Sequence, residues 1–99
     1  MLFKKKKDNQ NWYLYIVETA SGTLYTGIAT DVLRRFLEHQ SNDIKSAKYL
    51  RGKGPLKLVY QQLIGTRSAA SKAEYKIKSL SKKQKHRIIK SEVTYEDYR

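Results

Sequence analysis

The sequence predicts an α+β domain on a small sheet, and three observations carry that expectation. Trp12 to Glu18 (WYLYIVE) and Leu56 to Leu63 (LKLVYQQL) have the aromatic and β-branched content and alternation of strands. The residues between and after them show helical spacing of apolar side chains behind capping residues. Finally, 39% hydrophobic and 11% aromatic residues in 99 suit a single folded domain rather than a disordered chain.

The elements follow in order. Residues 1–11 (MLFKKKKDNQN) are expected to be a basic, flexible tail, since Lys4 to Lys7 repel one another and Asp8 to Asn11 favour turns. In the strand Trp12 to Glu18 the period of two puts Tyr13 and Tyr15 on one face and Leu14 and Ile16 on the other. Thr19 to Gly22 is a turn, and Thr23 to Ile28 completes a hairpin. Thr30 or Asp31 caps the next helix, where Val32, Leu33, Phe36 and Leu37 form an apolar stripe. On its wheel Arg35 and His39 share one flank, and Arg34 and Glu38 the other. Asn42 to Leu50 is expected to be a short helix ended by Gly52, with a basic loop to Pro55. After the third strand, Ser68 is expected to cap a helix to about Leu80, with Ala70, Ala73, Ile77 and Leu80 inward. Ser81 to Gln84 has the form of a capping box and starts a last helix, to about Lys90. The expected organisation is the tail 1–11, a folded domain 12–90 and a C-terminal segment 91–99 of unassigned structure.

Composition narrows the function. Lys and Arg number 21 against 9 acids, a net charge of +12, and a field of that sign favours polyanions, nucleic acid first. The chain has no cysteine and only His39 and His86 as histidines, which argues against disulfides and a zinc site. No apolar stretch suggests a membrane span or a signal peptide, so a cytoplasmic protein is expected. Lys48, Arg51 and Lys53 around Tyr49 read as a surface that tracks a nucleic-acid backbone.

One constellation is more specific. Tyr13-Leu14-Tyr15 in the first strand, Tyr25-Thr26-Gly27 in the second, then Thr30-Asp31, Arg35, His39 and a later Glu74 follow in a fixed order. This set, with the stretches SAKYLRGKGPLKLVY and AASKAEYKIKSL, resembles the GIY-YIG nuclease family, most closely its small single-domain branch (UPF0213-like). Tyr13 stands where the family name has its first glycine. The resemblance implies a three-stranded antiparallel sheet flanked by helices. It also implies a metal-dependent endonuclease that hydrolyses DNA phosphodiesters, DNA favoured over RNA, with low sequence specificity and no small-molecule cofactor. The matching catalytic residues are Tyr15, Tyr25, Arg35, His39 and Glu74.

Each has a chemical rationale. Arg35 offers a planar fork for phosphate oxygens. Glu74 is the metal candidate; one carboxylate suits Mg²⁺ (or Mn²⁺), which keeps waters and takes substrate oxygens as ligands. Read without the resemblance, Glu74 is a helix-surface acid pairing with Lys78, and the tyrosines are core aromatics. Tyr15 is assigned proton transfer, His39 the assisting base and Tyr25 positioning. Arg34 is read as general phosphate attraction, and Gly27 as structural, permitting a turn or a close backbone approach. The alternative function is a nucleic-acid-binding module with weak or absent cleavage; a protein-interaction domain is the third reading.

Overall fold

A computed structural model of the chain describes residues 11–41 and 45–98. It contains β1 (Trp12–Glu18), β2 (Leu24–Ala29), α1 (Val32–Gln40), a 3₁₀ turn (Lys48–Leu50), β3 (Lys57–Gly65), α2 (Arg67–Lys78), α3 (Lys82–Ile89) and a final 3₁₀ turn (Tyr95–Asp97). The expected tail, with Lys4 to Lys7, lies outside the described residues apart from Asn11. The strands form one antiparallel sheet in the order β2-β1-β3, so β2 is an edge strand.

The alternation in β1 divides the interior in two, as the period of two requires. Tyr15 and Val17 pack with Ala29, Val32, Leu50 and Leu56 beneath α1. Leu14 and Ile16 pack on the other face with Ala73, Ile77 and Ile88 of α2 and α3. Val93, Tyr95 and Tyr98 of the C-terminal segment cover this second core. Capping fixes the helix starts. The Asp31 carboxylate accepts from the Arg34 amide, and Ser81 and Gln84 form the expected reciprocal box.

The structure corrects several expectations. Thr66, not Ser68, caps α2, because its hydroxyl accepts from the Ala69 amide and the helix begins two residues earlier. The third strand runs two residues past Leu63 to Gly65. Of the expected helix over Asn42 to Leu50, the described part is helical only as the turn Lys48–Leu50. The phase of α1 differs most. Leu33 and Leu37 are 64% and 57% exposed, whereas Val32 and His39 are buried at 5% and 1%. Apolar character alone assigned Leu33 and Leu37 inward; a histidine whose two ring nitrogens are both hydrogen-bonded takes the inward position instead. Glu38 joins Arg34 and Arg35, with Arg34 Nε at 3.5 Å and Arg35 Nη1 at 3.0 Å from its carboxylate.

Candidate active site

The site is built on the edge strand. Tyr15 and Gly27 are direct cross-strand partners. A Cβ on Gly27 would stand 2.5 Å from Tyr15 Oη and 2.6 Å from Cζ, well inside van der Waals contact. The missing side chain is therefore what lets the Tyr15 ring lie across β2 and carry its hydroxyl toward the open edge of the sheet. This is a different role from the expected one: the backbone of Gly27 makes no special turn, and the close approach is by a tyrosine.

Tyr25, two residues before Gly27 on the same face of β2, completes an aromatic group. Its ring centroid lies 6.5 Å from that of Tyr15 and 5.5 Å, edge-on, from that of His39. Its far side stacks on Tyr49 at 6.0 Å, and Lys53 Nζ sits 3.6 Å from the Tyr49 centroid. The loop read as a backbone-tracking surface thus joins the catalytic candidates through Tyr49. Lys48, Arg51 and Lys53 are all exposed there.

His39 is held from both sides. The Ala47 amide N–H donates to Nδ1 at 3.1 Å, and Nε2 lies 2.9 Å from Tyr15 Oη. An amide N–H can only donate, so Nδ1 carries no proton. The proton of the neutral ring is then on Nε2 and is donated to Tyr15. Burial, and secondarily the Arg35 charge, push the His39 pKa down to about 4. His39 thus stays neutral and acts as a donor to Tyr15, which runs against the assisting-base role expected for it.

Protonation of His39 links to stability. In the unfolded chain it takes a proton below about pH 6.5, in the fold only near pH 4. Its contribution is complete above pH 6.5 and is lost as pH falls toward 4, by up to about 3 kcal/mol. Urea unfolding at pH 7.5 and pH 4.5 is expected to show a larger loss for wild type than for His39→Gln. Equal losses would refute the assignment.

Tyr15 is 1% exposed. Its pKa is raised above the ordinary tyrosine value, first by burial and then by the Tyr25 hydroxyl; Arg35 pulls it down and Glu74 pushes it up. The phenol is therefore neutral in the free protein. Arg35 Nη1 also donates to the Lys45 carbonyl at 2.7 Å, beside its Glu38 bond. Glu74 projects from α2, with Lys78 Nζ at 3.3 Å and its side chain 24% exposed. A groove beside Arg35 is lined by Trp12, Thr30, Asp31, Arg34 and Glu38.

The structure thus gathers Tyr15, Tyr25 and His39, places Arg35 beside them, and brings Glu74 within electrostatic reach of Tyr15. Sequence reasoning missed the Ala47 amide, which has no side-chain signature, and Glu38, whose spacing to Arg34 and Arg35 was legible. It also missed Gln40, whose carboxamide exchanges two hydrogen bonds with the Leu56 backbone and ties the end of α1 to the start of β3.

Residues 11–87 match the family model described as the GIY-YIG catalytic domain. The chain belongs to the GIY-YIG family. Within it, the chain falls in the UPF0213 branch. It is 54% identical over 85 residues to a UPF0213 protein of Enterobacter sp. strain 638, covering 86% of this chain and 81% of that one. It is 54% identical over 78 residues to the UPF0213 protein YhbQ of Escherichia coli K12, covering 79% and 76%. The solution NMR structure of the UPF0213 protein BH0048 from Bacillus halodurans superposes with a TM-score of 0.52 at 41% identity, covering 81% of this chain and 83% of that one. The catalytic domain of a nuclease family is thus present on the expected three-stranded fold. No described helix is long and apolar enough to cross a membrane.

Proposed function

We propose that this protein is a metal-dependent endonuclease that hydrolyses DNA phosphodiester bonds with low sequence specificity. The observation that carries the reading is the assembly of Tyr15, His39 and Arg35 at the open edge of β2, with Glu74 in electrostatic reach, in a chain with a GIY-YIG catalytic domain. The net charge of +12 supplies the attraction for a polyanion. DNA is the substrate that the family resemblance implies.

Among the described residues no cluster of three metal-ligating side chains occurs. Glu74 nevertheless fits the demand: it is a partly covered carboxylate, and its present partner is a displaceable surface lysine. It would hold a Mg²⁺ or Mn²⁺ ion whose other ligands are waters and substrate oxygens. Bound there, such an ion supplies positive charge for the phosphoryl and leaving oxygens.

The chain's own residues divide the remaining work. Arg35 binds the non-bridging oxygens of the scissile phosphate once it exchanges Glu38 for substrate. Tyr15 gives up its phenol proton to solvent as substrate binds, and the phenolate Oη then receives the proton of the attacking water. The Nε2–H of His39 stabilises that phenolate, because a hydrogen bond to the charged form favours it. Neutralising Glu74 removes one of the influences that keep Tyr15 protonated. Tyr25 holds the rings of Tyr15 and His39 in place by contact with both.

The test is cleavage of labelled linear, nicked and branched DNA, with RNA beside it, by purified protein in Mg²⁺, Mn²⁺ or chelator. Wild type is expected to cut DNA only with metal, and Glu74→Ala to lose at least about a thousandfold in rate while still binding. Absence of cleavage in every condition, with salt-sensitive binding intact, would replace this reading with the binding module.

A further inference from the structure

On the side of β2 toward α2 and α3 lies a shallow pocket that the catalytic reading leaves unused. Its lining is Leu24, Tyr25 and Thr26 of β2, Tyr49, Lys78 at the end of α2 and Lys85 of α3. Three features set it apart from a generally basic surface. First, lysines from two different helices line it, and among the described residues Lys85 has no carboxylate partner. Second, Thr26 is 3% exposed and its hydroxyl has no hydrogen-bond partner. Buried hydroxyls are normally satisfied, so an orphan one lining a cationic pocket marks a place where a ligand oxygen supplies the missing bond. Third, the rest of the lining is aromatic and aliphatic, with Tyr49 44% exposed and stacked on Tyr25.

A lining that combines cations and a hydroxyl with aromatic and aliphatic carbon has the chemistry of one nucleotide. We infer that this pocket is a nucleotide subsite. It takes a backbone phosphate adjacent to the scissile one on Lys78, Lys85 and Thr26, and lays that phosphate's nucleoside on Leu24, Tyr25 and Tyr49. The inference rests on the nuclease reading above and extends it to residues of α3.

Two shared residues tie the subsite to the catalytic group. Tyr25 belongs to both, touching Tyr15 and His39 on one side and Tyr49 on the other. Lys78 contacts the Glu74 carboxylate at 3.3 Å. When Glu74 exchanges Lys78 for a metal ion, the released ammonium keeps its three donors for a phosphate oxygen. A strand held here therefore runs past Glu74 toward Tyr15.

The test is binding without cleavage, by fluorescence anisotropy of the full chain with a labelled twelve-nucleotide DNA strand and with its blunt duplex, in chelator and over a salt series. Lys78→Ala and Lys85→Ala are each expected to weaken binding about tenfold and to reduce the salt slope by about one. Lys83→Ala, an exposed α3 position outside the pocket lining, is expected to change affinity less than about threefold. Thr26→Val keeps the shape and removes only the hydroxyl. It should leave the unfolding midpoint unchanged or raised, and weaken binding by about threefold or more. Lysine variants indistinguishable from Lys83→Ala, or a Thr26→Val protein of wild-type affinity, overturn the subsite while nucleic-acid binding stands. A wild-type protein that binds neither probe overturns the nucleic-acid reading itself.

Discussion

Gly27→Ala will cost this protein at least about a hundredfold in cleavage rate, because one methyl group displaces the hydroxyl that handles the proton. The added Cβ meets Tyr15 Oη at 2.5 Å and Cζ at 2.6 Å. The ring has nowhere to retreat: it is 1% exposed, and His39 holds its hydroxyl on the other side. Relief must come from tilting the ring or separating β1 from β2. Overpacking of this kind costs about 1–3 kcal/mol, and a shift of the reacting group by about 1 Å costs about a hundredfold in rate. Urea unfolding and cleavage by the variant check both figures. A double substitution isolates the cause. In a Tyr15→Ala background the clash disappears, so Gly27→Ala should then be nearly neutral for stability. Equal destabilisation in both backgrounds would place the effect in the strand backbone instead.

His39→Gln will retain far more activity than His39→Ala. A glutamine carboxamide can accept from the Ala47 amide and donate to Tyr15, reproducing both bonds that the imidazole makes. Alanine leaves the Ala47 N–H unpartnered, Tyr15 without its donor and a cavity beneath α1, a loss of about 2–4 kcal/mol in stability. Cleavage by the glutamine variant is expected within about tenfold of wild type, and by the alanine variant down about a hundredfold or more. The two roles for His39 diverge here, since glutamine cannot accept a proton. A glutamine variant as inactive as alanine, with its fold intact, would restore His39 as the base.

These two residues also show what the sequence could and could not disclose. Strand β1 is legible because every position in it but Glu18 is aromatic, β-branched or apolar, and the two cores use its alternation directly. The Ser81 box was legible because its hydrogen bonds are local. The phase of α1 was not, because Leu33 and Leu37 look like core residues and His39 does not. What turns the helix is the pairing of His39 with a tyrosine 24 positions earlier and with a backbone amide on a loop. Neither partner leaves a local pattern. The same holds for Gly27, whose purpose is a contact across two strands. Tyr15, Arg35 and Glu74 were picked out by type and order; the electrostatic state of Tyr15 depends on burial, which spacing does not convey.

The open edge of β2 has one more consequence. Every residue assigned a part in the chemistry sits on a strand or on a helix of at least nine residues: β1, β2, α1 or α2. The bends at residues 19–23 and 51–56 carry none of it. Regular elements hold the reacting groups rigidly, whereas surface turns accept insertions at small thermodynamic expense. The scaffold can therefore be lengthened at either bend, or joined there to another polypeptide that chooses a target, without re-solving the chemistry.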